Sequence, residues 1–212
     1  MEKKYSLIIT PPEEISRQIK IEAEKICNNS NFTPYITLHS SFSSNRTDFI
    51  EKTRNWLEDQ NPFVFTLRKI DSFSKPAIVY LTSGDEVEIE EINELYFGLK
   101  SLLENEVTSN CSTNSFVPHL TLDTFCSQKK FKNAKINFKR FFQNPIPLPI
   151  VKIDVAERIG VTEKIGDFRW KTIDCLRIGR NEDKKQLVTA DEYRFNQINR
   201  ASIFPDYTFV SE

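Results

Sequence analysis

The sequence predicts a mixed α and β fold in which one strand-helix-strand unit is used twice, and three observations carry that prediction. Residues 5–10 (YSLIIT) and 77–82 (AIVYLT) share an apolar, β-branched pattern suited to a buried strand. Each leads into a segment with helical spacing, and each helix is followed by a second strand-like run, YITLHSSF at 35–42 and FVPHLTLDTF at 116–125. With only 5 glycines in 212 residues, no flexible linker is long enough to divide the chain into independent domains.

Taken in order, Pro11 and Pro12 end the first strand. Residues 13–27 then place Ile15, Ile19, Ala23 and Ile26 on one helical stripe. Polar residues 28–33 form a loop before the second strand. A helix is expected over 48–58, with Thr47 as its N-cap and Phe49, Ile50, Trp56 and Leu57 available for burial. Residues 62–73 (PFVFTLRKIDSF) read as one long aromatic strand. In the second unit the helix covers roughly 86–105. A basic helix over 129–140, strands near 147–159 and 168–178, and a last helix over 189–200 opened by the capping-box spelling Thr189-Ala190-Asp191-Glu192 complete the reading. The six acids of 85–94 fit the start of a helix, where the dipole favours negative charge.

Composition removes several function classes. Lys and Arg number 29 against 30 Asp and Glu, a formal net charge of -1, so bulk electrostatics selects neither a polyanion nor a membrane and any charged ligand must be held locally. A hydrophobic fraction of 39% with 17 Phe excludes a solvated disordered chain. No apolar run reaches the length of a membrane span, and the first ten residues lack the profile of a signal peptide, so a cytoplasmic protein is expected. Cys27, Cys111, Cys126 and Cys175 form no C-x-x-C pair and are expected to be reduced, mostly buried thiols. The sequons at Asn31, Asn45 and Asn110 are then chance matches.

Histidine is the scarcest reactive side chain, present twice. Both copies begin the same pattern of His, any residue, Ser or Thr, apolar residue: His39-Ser40-Ser41-Phe42 and His119-Leu120-Thr121-Leu122. Positions i and i+2 of a strand share a face, so His39 projects with Ser41 and His119 with Thr121, while Leu38, Phe42, Leu120 and Leu122 face a core. A lone histidine on a strand is most often structural; two in one pattern, each closing an equivalent unit, point to a shared site. Two imidazoles titrating near neutrality can divide the base and acid roles of phosphodiester chemistry, with the hydroxyls stabilising charge on phosphoryl oxygens. A zinc centre would have to recruit Asp71 or Asp123 to reach three ligands, and no metal or other cofactor is expected.

HSSF and HLTL, 80 positions apart, resemble the paired H-x-[ST]-x signatures of the 2H phosphoesterase superfamily, which includes RNA 2',5'-ligase-like proteins and 2',3'-cyclic phosphodiesterases. The resemblance implies an α+β, bilobed fold with two pseudo-twofold-related lobes, antiparallel sheets lining a central cleft and helices outside. It covers one domain over 1–180 and leaves 181–212 as a partly helical extension. It implies a metal-independent hydrolase acting on RNA or nucleotide 2',3'-cyclic phosphates or 2',5' linkages, with His39 and His119 catalytic and Ser41 and Thr121 holding phosphate. Ser40 stands where the family more often carries an apolar residue and is expected on the back of its strand. Expected substrate contacts are Tyr35 and Phe125 for base stacking, Arg46 beside the first motif, and Lys129 and Lys130 of the basic segment. Phe73 and Trp170 are further aromatics able to stack a base. The expected protein is a monomer that binds RNA or a nucleotide and no membrane. The alternative is a nucleotide- or RNA-binding module that uses the same cleft without turnover.

Overall fold

Alternation along the first strand buries Tyr5, Leu7 and Ile9 in the main core and turns Ser6 and Ile8 to the opposite face. The computed structural model describes residues 3–26, 33–43, 46–103, 116–125, 128–159 and 169–180. In chain order these form β1 (Lys4–Ile9), α1 (Glu13–Ile26), β2 (Ile36–Ser43), α2 (Arg46–Glu58), β3 (Phe63–Leu67), β4 (Lys69–Ser74), β5 (Ala77–Thr82), α3 (Glu86–Leu103), β6 (Leu120–Phe125), α4 (Gln128–Phe141), β7 (Ile146–Ile150), β8 (Lys152–Ile159) and β9 (Arg169–Arg177). None of the described helices is long and apolar enough to cross a membrane. The expected helix at 189–200, the sequon asparagines Asn31, Asn45 and Asn110, and Cys27, Cys111 and Cys126 lie outside the described residues. Cys175 is free and exposed rather than buried, a correction at that position.

The duplication extends further than the sequence pattern indicated. Residues 4–74 run β-α-β-α-β-β, and residues 77–159 repeat that order. A seven-stranded antiparallel sheet has the order β4-β5-β6-β2-β1-β8-β9, so β4-β5-β6 mirrors β8-β1-β2 about the seam between β6 and β2. The two expected sheets therefore run on into one another through a single registered pair, Ile36 with Leu120. Each half lends its last strand to the other: β4 lies beside β5, and β8 beside β1. The remaining equivalent strands, β3 and β7, pair with each other as a separate ribbon whose buried members include Phe65, Leu67, Ile146, Leu148 and Ile150.

The helices follow from their apolar stripes. On α1, Ile15, Ile19 and Ala23 are buried and Glu13 and Glu14 complement the N-terminal dipole. Thr47 is the second residue of α2 and not its cap. Phe49 and Leu57 of that helix are fully buried, and α3 approaches it so closely at Gly98 that a Cβ there would overlap the Trp56 indole. The run 62–73 is not one strand: it divides at Arg68 into β3 and β4, which belong to different sheets. After β9, Gly179 takes φ of 79°, donates its N–H to the Leu57 carbonyl at 2.9 Å, and leaves Arg180 on Asp59.

Candidate active site

His39 lies on β2 and His119 immediately precedes β6. Ile36 and Leu38 join the main core, as do Leu120 and Leu122, so Thr37, His39, His119 and Thr121 alternate onto the opposite face. From the Ile36–Leu120 pair, His39 is three residues along β2 and His119 one residue back along β6, which in an antiparallel pair is the same direction. The offset between them is two residues along and one strand across, about 8 Å between Cα positions. The topology thus brings the two histidines to one face at the seam between the halves.

Each motif is anchored by a hydroxyl on the neighbouring central strand. Ser6 Oγ donates to the His39 carbonyl at 2.7 Å, and Thr82 Oγ1 donates to the Pro118 carbonyl at 2.6 Å. The β1–β2 ladder slips on both sides of the Leu7–His39 pair, a doubled bulge that re-aims the strand. This explains a departure from simple alternation: Ser40 is exposed although Leu38 and Phe42 on either side are buried.

The rings differ in surroundings. His39 is 7% exposed, meets Phe42 edge-on at 5.3 Å, and among the described residues its Nδ1 has no hydrogen-bond partner of ordinary geometry. Burial holds its pKa below the ordinary value; the nearby Ser40 backbone opposes the shift and the Lys100 charge adds to it. His119 is half-buried, with Nδ1 2.7 Å from the Val117 carbonyl and ring contacts of 5.1 Å to both Phe73 and Tyr80. When that Nδ1 donates to Val117, Nε2 of the neutral ring carries the lone pair. Burial lowers the pKa of His119 as well, against the raising effect of the Val117 carbonyl.

The other expected residues are placed unevenly. Thr121 is half-buried and lies opposite Tyr80 in the β5–β6 ladder. Ser41 is on β2 and Arg46 opens α2, but their side chains lie outside those described. Tyr35 precedes β2, half-buried, with its phenol pushed up by burial. Phe125 does not face the histidines: it ends β6 against Phe131 of α4, at 6.1 Å between ring centres. Lys129 and Lys130 are exposed in the first turn of α4, and Trp170 is half-buried on β9. Phe73, expected only as one of several aromatics, touches His119, and Tyr80 beside it was not singled out by sequence. Asp71 is held by Lys69 at 2.9 Å and Lys135 at 3.6 Å; burial alone would raise its pKa, but the Lys69 and Ser72 hydrogen bonds and the lysine charges hold it down. Among the described residues no three His, Cys, Asp or Glu side chains converge as metal ligands.

A mixed helix and antiparallel-sheet fold, duplicated about a seam that carries one H-x-[ST] motif from each half, defines the architecture of the 2H phosphoesterases. The family model described as the 2'-5' RNA ligase superfamily matches residues 11–161, and the chain belongs to that superfamily. Among solved structures, apo E. coli LigT superposes with a TM-score of 0.58 at 15% identity, covering 85% of this chain and 100% of that one. LigT complexed with 3'-AMP gives 0.57 at 13% with the same coverage. TT0787 of Thermus thermophilus gives 0.55 at 14%, covering 84% of this chain and 100% of its own. The search of curated proteins returns no match.

Proposed function

We propose that this chain is a phosphodiesterase that opens nucleotide or RNA 2',3'-cyclic phosphates, or cleaves 2',5' linkages, by two-histidine acid-base catalysis without a metal. The placement of His39 and His119 on one face at the seam supports this reading above any other observation. One imidazole takes a proton from water as its oxygen bonds to phosphorus; the other, as imidazolium, gives its proton to the ribose oxygen as that P–O bond breaks. Thr121 and Ser41 are assigned to the non-bridging oxygens. Burial favours the neutral form of both rings, and the bound phosphate's negative charge restores the proton to the one acting as acid.

Hydrolysis of a nucleoside 2',3'-cyclic phosphate in EDTA tests the proposal. His39→Ala and His119→Ala are each expected to lose about 10²–10⁴-fold in rate, and the wild-type rate to follow a bell-shaped pH profile. Full activity in either variant, or loss of activity on adding EDTA, overturns it. A binding module without turnover is the second reading, favoured by the nucleotide complexes of E. coli LigT with 3'-AMP, ATP and NADP+. Tight nucleotide binding that survives His39→Ala, with no product, would establish it.

A further inference from the structure

The charge of α4 is arranged unlike that of the other helices. Its sequence, QKKFKNAKINFKRF, holds no acid, and its first turn carries Lys129 and Lys130 where α1, α2 and α3 place Glu13, Asp48 and Glu86. Cations at a helix N-terminus oppose the dipole, so this choice weakens the helix locally. Lys129, Lys130, Lys132, Lys139 and Arg140 are exposed, and none of the five is in an ion pair among the described residues; only Lys135 is engaged, with Asp71 and Ser72. At 100° per residue, Lys129, Lys132 and Arg140 fall on one outward stripe spanning about 16 Å. The opposite side of α4 buries Ala134 and Phe138, and Phe142 just past its end is buried as well.

We infer that this stripe is a docking surface for the phosphate backbone of an RNA strand, separate from the histidines. The helix packs against β4, β5 and β6 through its apolar side, with Phe131 on Phe125. On β5, Val79 and Leu81 join that core, whereas Tyr80 on the opposite face meets His119. RNA held along α4 therefore lies behind the sheet that carries His119 and reaches the site by passing its edge. Two observations favour nucleic acid over a lipid surface. The apolar side of the helix is committed to the protein core, leaving Ile136 and Phe141 as the exposed large apolar side chains, and an interfacial helix needs that side free. With a whole-chain charge of -1 there is no bulk attraction for a polyanion, so one must be held by a local cluster such as this, whose five exposed cations are unpaired among the described residues. The choice of RNA as the strand rests on the phosphodiesterase reading; the charge argument does not.

Binding of a fluorescent single-stranded RNA, followed by anisotropy across salt concentrations, tests the surface. Replacing Lys129, Lys132 and Arg140 by Gln is expected to reduce the slope of log affinity against log salt by about 2, so that the affinity lost between 50 and 200 mM salt falls roughly 20-fold short of the wild-type loss. The charge-matched variant Lys4→Gln/Arg17→Gln/Lys171→Gln should keep the wild-type slope. The inference is overturned if the α4 variant keeps the full slope while its circular dichroism and melting match wild type, if the control loses as much, or if phosphatidylserine vesicles bind as strongly as RNA and lose that binding in the same variant. Because the readout is binding, an enzyme inactive on cyclic phosphates that keeps this slope counts against the proposed reaction and leaves the surface standing.

Discussion

His39 and His119 share a sequence pattern but not an environment, and the difference has measurable consequences. Both rings have folded-state pKa values below that of an exposed histidine, with burial as the main cause. Below pH 6.5 the unfolded chain accepts protons that the folded rings refuse, so stability falls with pH across that window and levels off once the folded rings titrate. Thermal melting from pH 7.5 down to 5 should show this fall, and His39→Asn should flatten part of it. His119 depends on its neighbours: Phe73→Ala removes a ring contact worth about 0.5–1.5 kcal/mol. Turnover should drop up to about tenfold, while Tyr80→Phe, which keeps its ring, should retain it. The two H-x-[ST] motifs were legible because strand alternation is local. Tyr80 was not, because its meeting with His119 depends on the β5–β6 register, which shifts between Val79 and Tyr80.

Long-range polar contacts decide how the elements lock together. Glu88, on the first turn of α3, accepts hydrogen bonds from the Thr66 N–H and Oγ1 at 2.8 Å each, from Arg68 at 2.7 Å and from Ser83 Oγ at 2.6 Å. It ties the end of β3, the strand break and the start of α3 into one joint. Glu88→Gln turns an amide donor toward these donors and removes the charge, and should lower stability by about 2–3 kcal/mol in urea unfolding. The sequence placed Glu88 correctly near a helix start, but it could not show that this acid serves a joint rather than the solvent, because its partners lie up to 22 residues away. The division of 62–73 was hidden for the same reason. Alternation continues through Arg68, and the N–H of that residue goes to the Thr82 carbonyl while its guanidinium goes to Glu88.

At the scale of the whole molecule, neither half holds a complete sheet of its own. Residues up to Lys75 lend β4 to the second half, and β8 returns to the first. Co-expressed pieces divided between Lys75 and Pro76 should assemble into a folded complex on size exclusion, with the native circular dichroism, while each piece alone should remain unfolded. The ribbon between the halves carries a further meaning. Advancing β3 by 83 residues gives β7 (146 − 63 and 150 − 67), and its pairings map onto themselves: Phe63 meets Ile150, and Leu67 meets Ile146. A contact that is its own mirror is the isologous interface of a twofold dimer. A polypeptide of half this length, paired with its own copy and trading its last strand, would build the same seam with one histidine from each subunit. In a single chain joined by the short turn at Lys75 and Pro76 those two imidazole sites need not be identical: one is buried with no partner of ordinary geometry at Nδ1 among the described residues, and the other lies against two aromatic rings.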